Sequence, residues 1–337
     1  MPYLYINENG AVLSHEDNCF KISSKNGTIR TIPSETLEGI SIFGAVQVTT
    51  QCIERCLKKG INISFYSPSG AYFGRIISTG HINTARQKAQ ARLSDTEDFR
   101  LAFSKKIIEA KIHNQQVLIK RYLRSASITK NIEIMVNNIV ACEKEIKGCD
   151  SIQQVMGYEG SAARVYFSML SKLINKQEFK FDGRNKRPPK DAFNSMISLG
   201  YSILLNEVYG EIENKGLNPY FGFLHSDREN HPTLASDLME EWRAVIVDST
   251  VMSLINGNEI SIDHFYKRND SPGIFLDRDG MKIFIAKLEK KFAVQSKYLS
   301  QVEFPVSFRR GIGLQIESLV RAIENDDINE YTPVRLR

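Results

Sequence analysis

Three short stretches carry side chains that could share one divalent metal ion: Tyr158-Glu159-Gly160, Gly222-Phe223-Leu224-His225, and Ser236-Asp237-Leu238-Met239-Glu240-Glu241-Trp242-Arg243. They offer a carboxylate, an imidazole and a further carboxylate. Such a mixed oxygen and nitrogen set suits a cation that polarises phosphate oxygens while keeping positions open for water or substrate. Phosphodiester chemistry is therefore the first expectation. Asp237 and Glu240, three positions apart, would share one face of a helix beginning near Ser236. The polar loop over residues 226–235 would let His225 fold back over that helix start. Glu159 must arrive from a different helix, and the small residues around it (Gly157, Gly160, Ser161, Ala162, Ala163) leave room for a phosphate backbone or a second helix to approach. Each residue also has an ordinary explanation: first-turn acids complement a helix dipole, and a single His beside an apolar run is commonly a hydrogen-bonded core residue.

The elements that must position these groups follow from periodicity. From Leu4 to about Ile77, short alternating apolar runs are punctuated by turn residues, the pattern of a small antiparallel β domain. Within it, Val46 to Val48 reads as a strand, Thr49 to Lys59 as a capped helix stopped by Gly60, and Ile61 to Tyr66 as a further strand. After a linker at Ser78 to Asn83 the grammar becomes helical, as in Phe99, Phe103, Ile107 and Ala110. The expected organisation is α+β in two domains: a small N-terminal β-sandwich over residues 1–77, the linker at 78–83, a larger all-α catalytic domain over 84–320, and a loose tail at 321–337. No internal repeat is present.

At 337 residues and 42% apolar content there is ample material for a core in each domain. Cys19, Cys52, Cys56, Cys142 and Cys149 form no paired C-x-x-C set, and their odd number argues against a disulfide framework and for the cytoplasm. Cys52 and Cys56 complete an apolar helical stripe with Ile53 and Leu57 and are read as core. The start, Met1 to Glu8, has neither a basic region nor a long apolar run, so neither a signal peptide nor a membrane span is expected.

The net charge of +5 is unevenly spread, with ten Lys/Arg against four Asp/Glu between Arg86 and Arg124. That stretch reads as an anionic-polymer contact or as a solvated helix face. A second basic run, Lys180 to Lys190, contains Arg184, Lys186, Arg187 and Lys190 and is stiffened by Pro188 and Pro189, which suits it to phosphate contact or to a solubilising loop. Arg243 lies near the face carrying Glu240 and could neutralise a phosphate or pair with that carboxylate.

Taken in order, Glu159-Gly160 with Ala162-Ala163-Arg164 and Tyr166-Phe167, Phe181-Asp182-Gly183-Arg184 with Arg187-Pro188-Pro189, Asp191, Asn194 and Gly200-Tyr201, then Gly222-Phe223-Leu224-His225, and Asp237-Leu238-Met239-Glu240 with Arg243 and Asp248 resemble the CRISPR-associated integrase/endonuclease family, the first of the numbered Cas proteins. The resemblance spans essentially the whole chain, and its specificity lies in the ordered set. It implies an N-terminal β-sandwich followed by a helical domain, a homodimer formed mainly through the β domains, and metal-dependent activity on DNA. Members of the family join short foreign DNA fragments to the CRISPR repeat array together with a small ferredoxin-like second Cas protein that bridges two dimers. By the same resemblance Glu159, His225 and Glu240 are the metal ligands and Asp237 is an auxiliary acid. The ion is Mn2+ or Mg2+, and Arg184, Lys186, Arg187, Lys190 and Arg243 position phosphates. Two rival functions use the same residues: a structure-selective nuclease acting on branched DNA in repair, and a non-catalytic DNA-binding scaffold.

Overall fold

The computed structural model describes residues 3–25, 27–124, 130–186, 188–268, 271–299 and 302–336. The chain divides into two compact units between Ile82 and Asn83. The first holds strands β1 (Tyr3–Ile6), β2 (Val12–Glu16), β3 (Cys19–Ser24), β4 (Gly27–Pro33), β5 (Gly39–Phe43) and β6 (Gln47–Val48), helix α1 (Thr50–Lys59), and strands β7 (Asn62–Tyr66) and β8 (Tyr72–Ile76). Two four-stranded sheets result, ordered β1-β5-β7-β8 and β4-β3-β2-β6. Alternate residues point inward, so Leu4 and Ile6, Leu13, Phe20 and Ile22, Ile40 and Ile42, and Ile63 form one core with Cys52 and Cys56 of α1. The Thr49 hydroxyl accepts from the Cys52 N–H to start α1, and Gly60 ends it at φ +69°.

The sequence pattern of an antiparallel domain needs correction. β1 with β5, β5 with β7, and β2 with β6 pair in parallel. Alternating hydrophobicity specifies which face is buried and is blind to strand direction.

The second unit begins with α2 (Thr84–Ser94), α3 (Glu97–Leu123), α4 (Lys130–Glu145), α5 (Ile152–Leu173) and α6 (Ala192–Asn214). Next come α7 (Thr233–Leu238), α8 (Glu240–Trp242), a π-helical stretch over Arg243–Asp248, and α9 (Ser249–Asn256). A hairpin of β9 (Phe265–Arg268) and β10 (Ser271–Leu276), helix α10 (Arg278–Ala293), the short antiparallel pair β11 (Gln295–Ser296) and β12 (Val306–Ser307), and α11 (Phe308–Asn325) complete it. The all-α expectation for this half is therefore too simple. The β9–β10 hairpin has a structural task, because the Ile274 N–H of β10 donates to Pro189 O at 2.8 Å and ties down the end of the basic loop. α3 is the central helix, in contact with α4, α5 and α8, and it is buried on most of its faces.

The tail expected to be loose is docked. α11 runs to Asn325, and beyond it Tyr331 and Val334 are fully buried. The Tyr331 hydroxyl donates to Glu241 Oε1 at 2.8 Å, the Val334 N–H to Glu241 Oε2 at 2.7 Å, and the Leu336 N–H to Asn114 Oδ1 at 2.9 Å. Two apolar anchors among charged neighbours suffice to seat the segment, because their burial is reinforced by paired polar groups. The helix expected to run through Asp237 and Glu240 is likewise broken at Met239 and then widened into the π-helical stretch. Among the described residues, no helix is long and apolar enough to cross a membrane.

Candidate active site

Glu159 lies on α5, and Cβ atoms added at Gly157 or Gly160 would meet nothing within 4 Å. The small residues beside it thus leave open space there, with no second helix packed against those two positions. Glu240, on α8, is only 3% exposed. The two carboxylates meet at the ammonium of Lys111, which projects from the central helix α3. Lys111 Nζ donates to Glu159 Oε1 and lies 2.7 Å from Glu240 Oε2. Burial would strip the proton from Lys111, but the charges of Glu240 and Glu159 outweigh it and raise its pKa.

His225 stands beside Glu240, with Nε2 4.0 Å from Glu240 Oε1. Its orientation is fixed from behind by Asp237, a fully buried carboxylate on α7. Asp237 Oδ2 accepts from the Phe223 and Leu224 N–H groups at 2.8 and 2.9 Å. Oδ1 accepts from the His225 N–H at 3.1 Å and contacts Nδ1 at 2.6 Å. A carboxylate can only accept, so Nδ1 carries the proton and Nε2 is turned toward Glu240. Burial lowers the His225 pKa, but the hydrogen bond and charge of Asp237 and the charge of Glu240 raise it further, for a net upward shift. Gly222 explains the start of its motif: a Cβ there would lie 2.4 Å from Thr233 Cγ2 and 2.8 Å from Asp237 Oδ2. Only glycine lets the 222–225 strand of chain approach this close to Asp237.

Arg243 opens the π-helical stretch and pairs with Glu240 three residues earlier, with Nη2 3.0 Å from Oε1. Burial disfavours the Glu240 charge, yet Arg243, Lys111 and His225 together hold its pKa down to about 2. The guanidinium of Arg243 lies 4.9 Å from the Tyr201 ring centroid and that of Arg184 5.5 Å from it. Tyr201 and Tyr166 each donate to Asp248, at 2.7 Å to Oδ1 and Oδ2 respectively. Burial, only partly offset by those two hydrogen bonds, pushes the Asp248 pKa up to about 6.

The basic loop falls into distinct parts. Arg184 is tied inward to Asn194 Oδ1 at 2.8 Å and Ser198 Oγ at 3.1 Å, with its Nε buried and unpaired. Lys186 is exposed, and its pKa is lowered by partial burial and by the nearby charges of Arg243 and Arg184, which places its amine in the field of the site. Lys190 is exposed at the loop's end, where its N–H donates to Asn185 Oδ1 at 2.7 Å. Arg187 lies outside the described residues.

The structure therefore brings Glu159 and Glu240 to Lys111, sets His225 beside Glu240, and puts Asp237 behind His225. Among the described residues, no three His, Cys, Asp or Glu side chains form a ready-made metal cage, and Lys111 stands between the two glutamates. Sequence reasoning missed Lys111, although a signal was present: it follows Ala110 and lies four residues after Ile107, in a stretch whose apolar stripe predicts burial. A buried lysine requires a carboxylate partner.

A family profile described as "CRISPR associated protein Cas1" matches residues 4–290. The CRISPR-associated endonuclease Cas1 of Mycobacterium tuberculosis is 36% identical over 324 residues, covering 96% of this chain and 94% of that protein. Among solved structures, a casposase bound to its integration product superposes with a TM-score of 0.84 at 21% identity, covering 97% of this chain and 92% of that one. A chain of a Cas6-RT-Cas1–Cas2 complex superposes with a TM-score of 0.84 at 23% identity, covering 99% of this chain and 36% of that one.

Proposed function

The chain belongs to the Cas1 family of CRISPR-associated proteins, and from that premise we propose that it is a metal-dependent DNA endonuclease and integrase of CRISPR adaptation. It joins short foreign DNA to the repeat array by attack of a 3′-hydroxyl on a target-strand phosphorus, with departure of another 3′-hydroxyl. The observation that carries this reading is the convergence of Glu159 and Glu240 on one cationic centre beside Nε2 of His225.

The donor set fits Mn2+ or Mg2+: two carboxylates and one imidazole, with the buried Glu240 Oε2 already facing a cation, the Lys111 ammonium, at 2.7 Å. Glu159, His225 and Glu240 would hold the ion, which when bound stabilises charge building on the non-bridging and leaving oxygens. The protein's own contribution is positional. Asp237 locks the His225 tautomer, Arg243 and Lys186 lie where phosphate oxygens would be drawn in, and Arg184 is braced through Tyr201 and Asp248. The polar clamp costs nothing in reorganisation at the moment of reaction, because its hydrogen bonds already exist.

The partners proposed are foreign duplex fragments and repeat DNA, a second copy of this chain joined through the β unit, and the small ferredoxin-like second Cas protein. The likeness of fold to a casposase bound to an integration product and to a chain of a Cas1–Cas2 assembly supports this set. Work on DNA in the cytoplasm agrees with five unpaired thiols.

The test is to incubate the protein with 3′-hydroxyl-ended DNA and supercoiled target, with and without Mn2+ and the small partner. Joined product that requires Mn2+ and is lost in folded Glu159→Ala, His225→Ala and Glu240→Ala is the expected result. Cleavage without joining would replace integration with nuclease action on branched DNA. DNA binding with no Mn2+ stimulation would reduce the protein to a scaffold.

A further inference from the structure

Lys111 is the least ordinary residue of the site. A lysine on the central helix of a domain, 5% exposed and followed by the fully buried Ile112 and Asn114, forfeits its hydration and is tolerated only against opposite charge. Here it touches one oxygen from each of two carboxylates carried by different helices, α5 and α8. The two glutamates cost one another repulsion at such range unless a cation separates them. Arg243 neutralises the other oxygen of Glu240 and feels the charge of Glu159, while Lys111 makes the contact with Glu159. Among the described residues the Lys111 ammonium is in ion-pair contact with both acids.

We infer that Lys111 is a built-in monovalent occupant of the cation position, which holds Glu159 and Glu240 together before metal arrives and which a divalent ion must displace. The inference rests on the reading of Glu159, His225 and Glu240 as ligands. An ammonium in contact with both carboxylates occupies the same short span that a divalent ion would bridge, so the two cations exclude each other by size and by charge. The protein gains a preassembled site, with its carboxylates already drawn together. It loses metal affinity, because each binding event must move a buried ammonium away from both its counter-charges. Lysine suits this task better than arginine: its compact charge sits on a flexible stem with freely rotating bonds, and it can withdraw without moving the helix.

A merely structural lysine and a competing one predict opposite signs. If Lys111 only shapes the site, its removal loosens the ligands and weakens metal binding. If it competes, its removal tightens binding. The experiment measures Mn2+ affinity by electron paramagnetic resonance of the free ion, in DNA-free protein, for the wild type, Lys111→Met, Lys111→Arg and Glu159→Gln. Thermal unfolding with and without Mn2+ is measured in parallel. Expected are Mn2+ binding about tenfold or more tighter in Lys111→Met, since a paired buried cation no longer has to leave, and a larger Mn2+-induced rise in melting temperature than in the wild type. Lys111→Arg, which keeps a cation in place, should show no tightening. Lys111→Gln repeats the measurement should the Met variant fail to fold. Wild-type binding that Glu159→Gln removes, with unchanged or weaker affinity in the neutral Lys111 variants, overturns the inference and leaves the ligand assignment standing. Absence of Mn2+ binding in every protein overturns both.

Discussion

Replacing Asp237 by Asn tests how far the imidazole depends on what stands behind it. The Asp237 carboxylate receives three backbone N–H groups and Nδ1 of His225, all four at 2.6 to 3.1 Å, at a position with no solvent to compensate. An amide keeps one accepting oxygen and turns an NH2 toward the remaining two donors, so about two buried hydrogen bonds become donor–donor contacts. At roughly 1–3 kcal/mol for each orphaned buried donor the loss is about 2–6 kcal/mol, a large part of a typical domain stability of about 5–15 kcal/mol. A fall of about 5–20 °C in the melting temperature of the helical unit follows. If the amide nitrogen faces the imidazole, Nδ1 must accept, the proton moves to Nε2, and the lone pair turned toward Glu240 is gone. Metal affinity should then drop by about 10–100-fold, the usual cost of losing a partner behind a ligating histidine. Thermal unfolding and Mn2+ binding on the same preparation are the assays. A folded Asp237→Asn protein with wild-type melting temperature and wild-type Mn2+ affinity would refute the positioning argument outright.

Lys186→Gln removes a charge that is exposed yet sits in the field of Arg243 and Arg184, so DNA binding should weaken uniformly over sequences and the slope of log K against log salt should fall by about one phosphate contact; an unchanged slope removes Lys186 from the interface. Asp248 has its pKa raised from 3.8 to about 6 in the fold, so the native state holds its proton more tightly than the unfolded chain, and the stabilisation present below pH 3.8 is lost as pH rises through about 6. Asp248→Asn lacks that loss, and urea unfolding should show its stability relative to the wild type improving by about 3 kcal/mol between acid and neutral pH; parallel pH curves for the two proteins would contradict it.

The parts of this molecule that were legible in sequence are those whose cause is local. Thr49 and Gly60 bracket α1 because a hydroxyl acceptor and a left-handed glycine are chemical signals within a turn of the helix they delimit. His225 and Asp237 lie only twelve positions apart, so a loop returning to a helix start could be read directly. What escaped has its cause in distant chain. Lys111 reads as one more charge in a basic stretch until α5 and α8 bring Glu159 and Glu240 to it. The last residues read as a polar tail because the groups that receive Tyr331, Val334 and Leu336, namely Glu241 and Asn114, sit on other helices. Strand direction escaped for a related reason, since β1, β5 and β7 show the same inward alternation whether paired parallel or antiparallel. The break at Met239 and the π-helical stretch after it follow no residue that ordinarily stops a helix.

Adjacent glutamates show how thoroughly surroundings decide chemistry at this site. Glu240 and Glu241 are both buried and follow one another on α8, and burial is the largest influence disfavouring the charge of each. Glu240 faces Arg243, Lys111 and His225 and is held at about 2. Glu241 is met chiefly by dipoles, so burial prevails over the Val334 N–H, the Tyr331 hydroxyl, the Gln315 amide and the smaller influence of the Arg335 charge, and its pKa climbs to about 8. The first is kept ionised at neutral pH by the partners packed against it. The second serves as an anchor: with Oε1 on Tyr331 and Oε2 on Gln315 and Val334, it fastens the end of the chain against α8 and α3. Asn114 on α3 completes the clasp by donating to both Glu241 O and Val334 O. Since α3 carries Lys111 and α8 carries Glu240, the segment expected to be a loose tail braces the two helices whose separation sets the distance between ammonium and carboxylate.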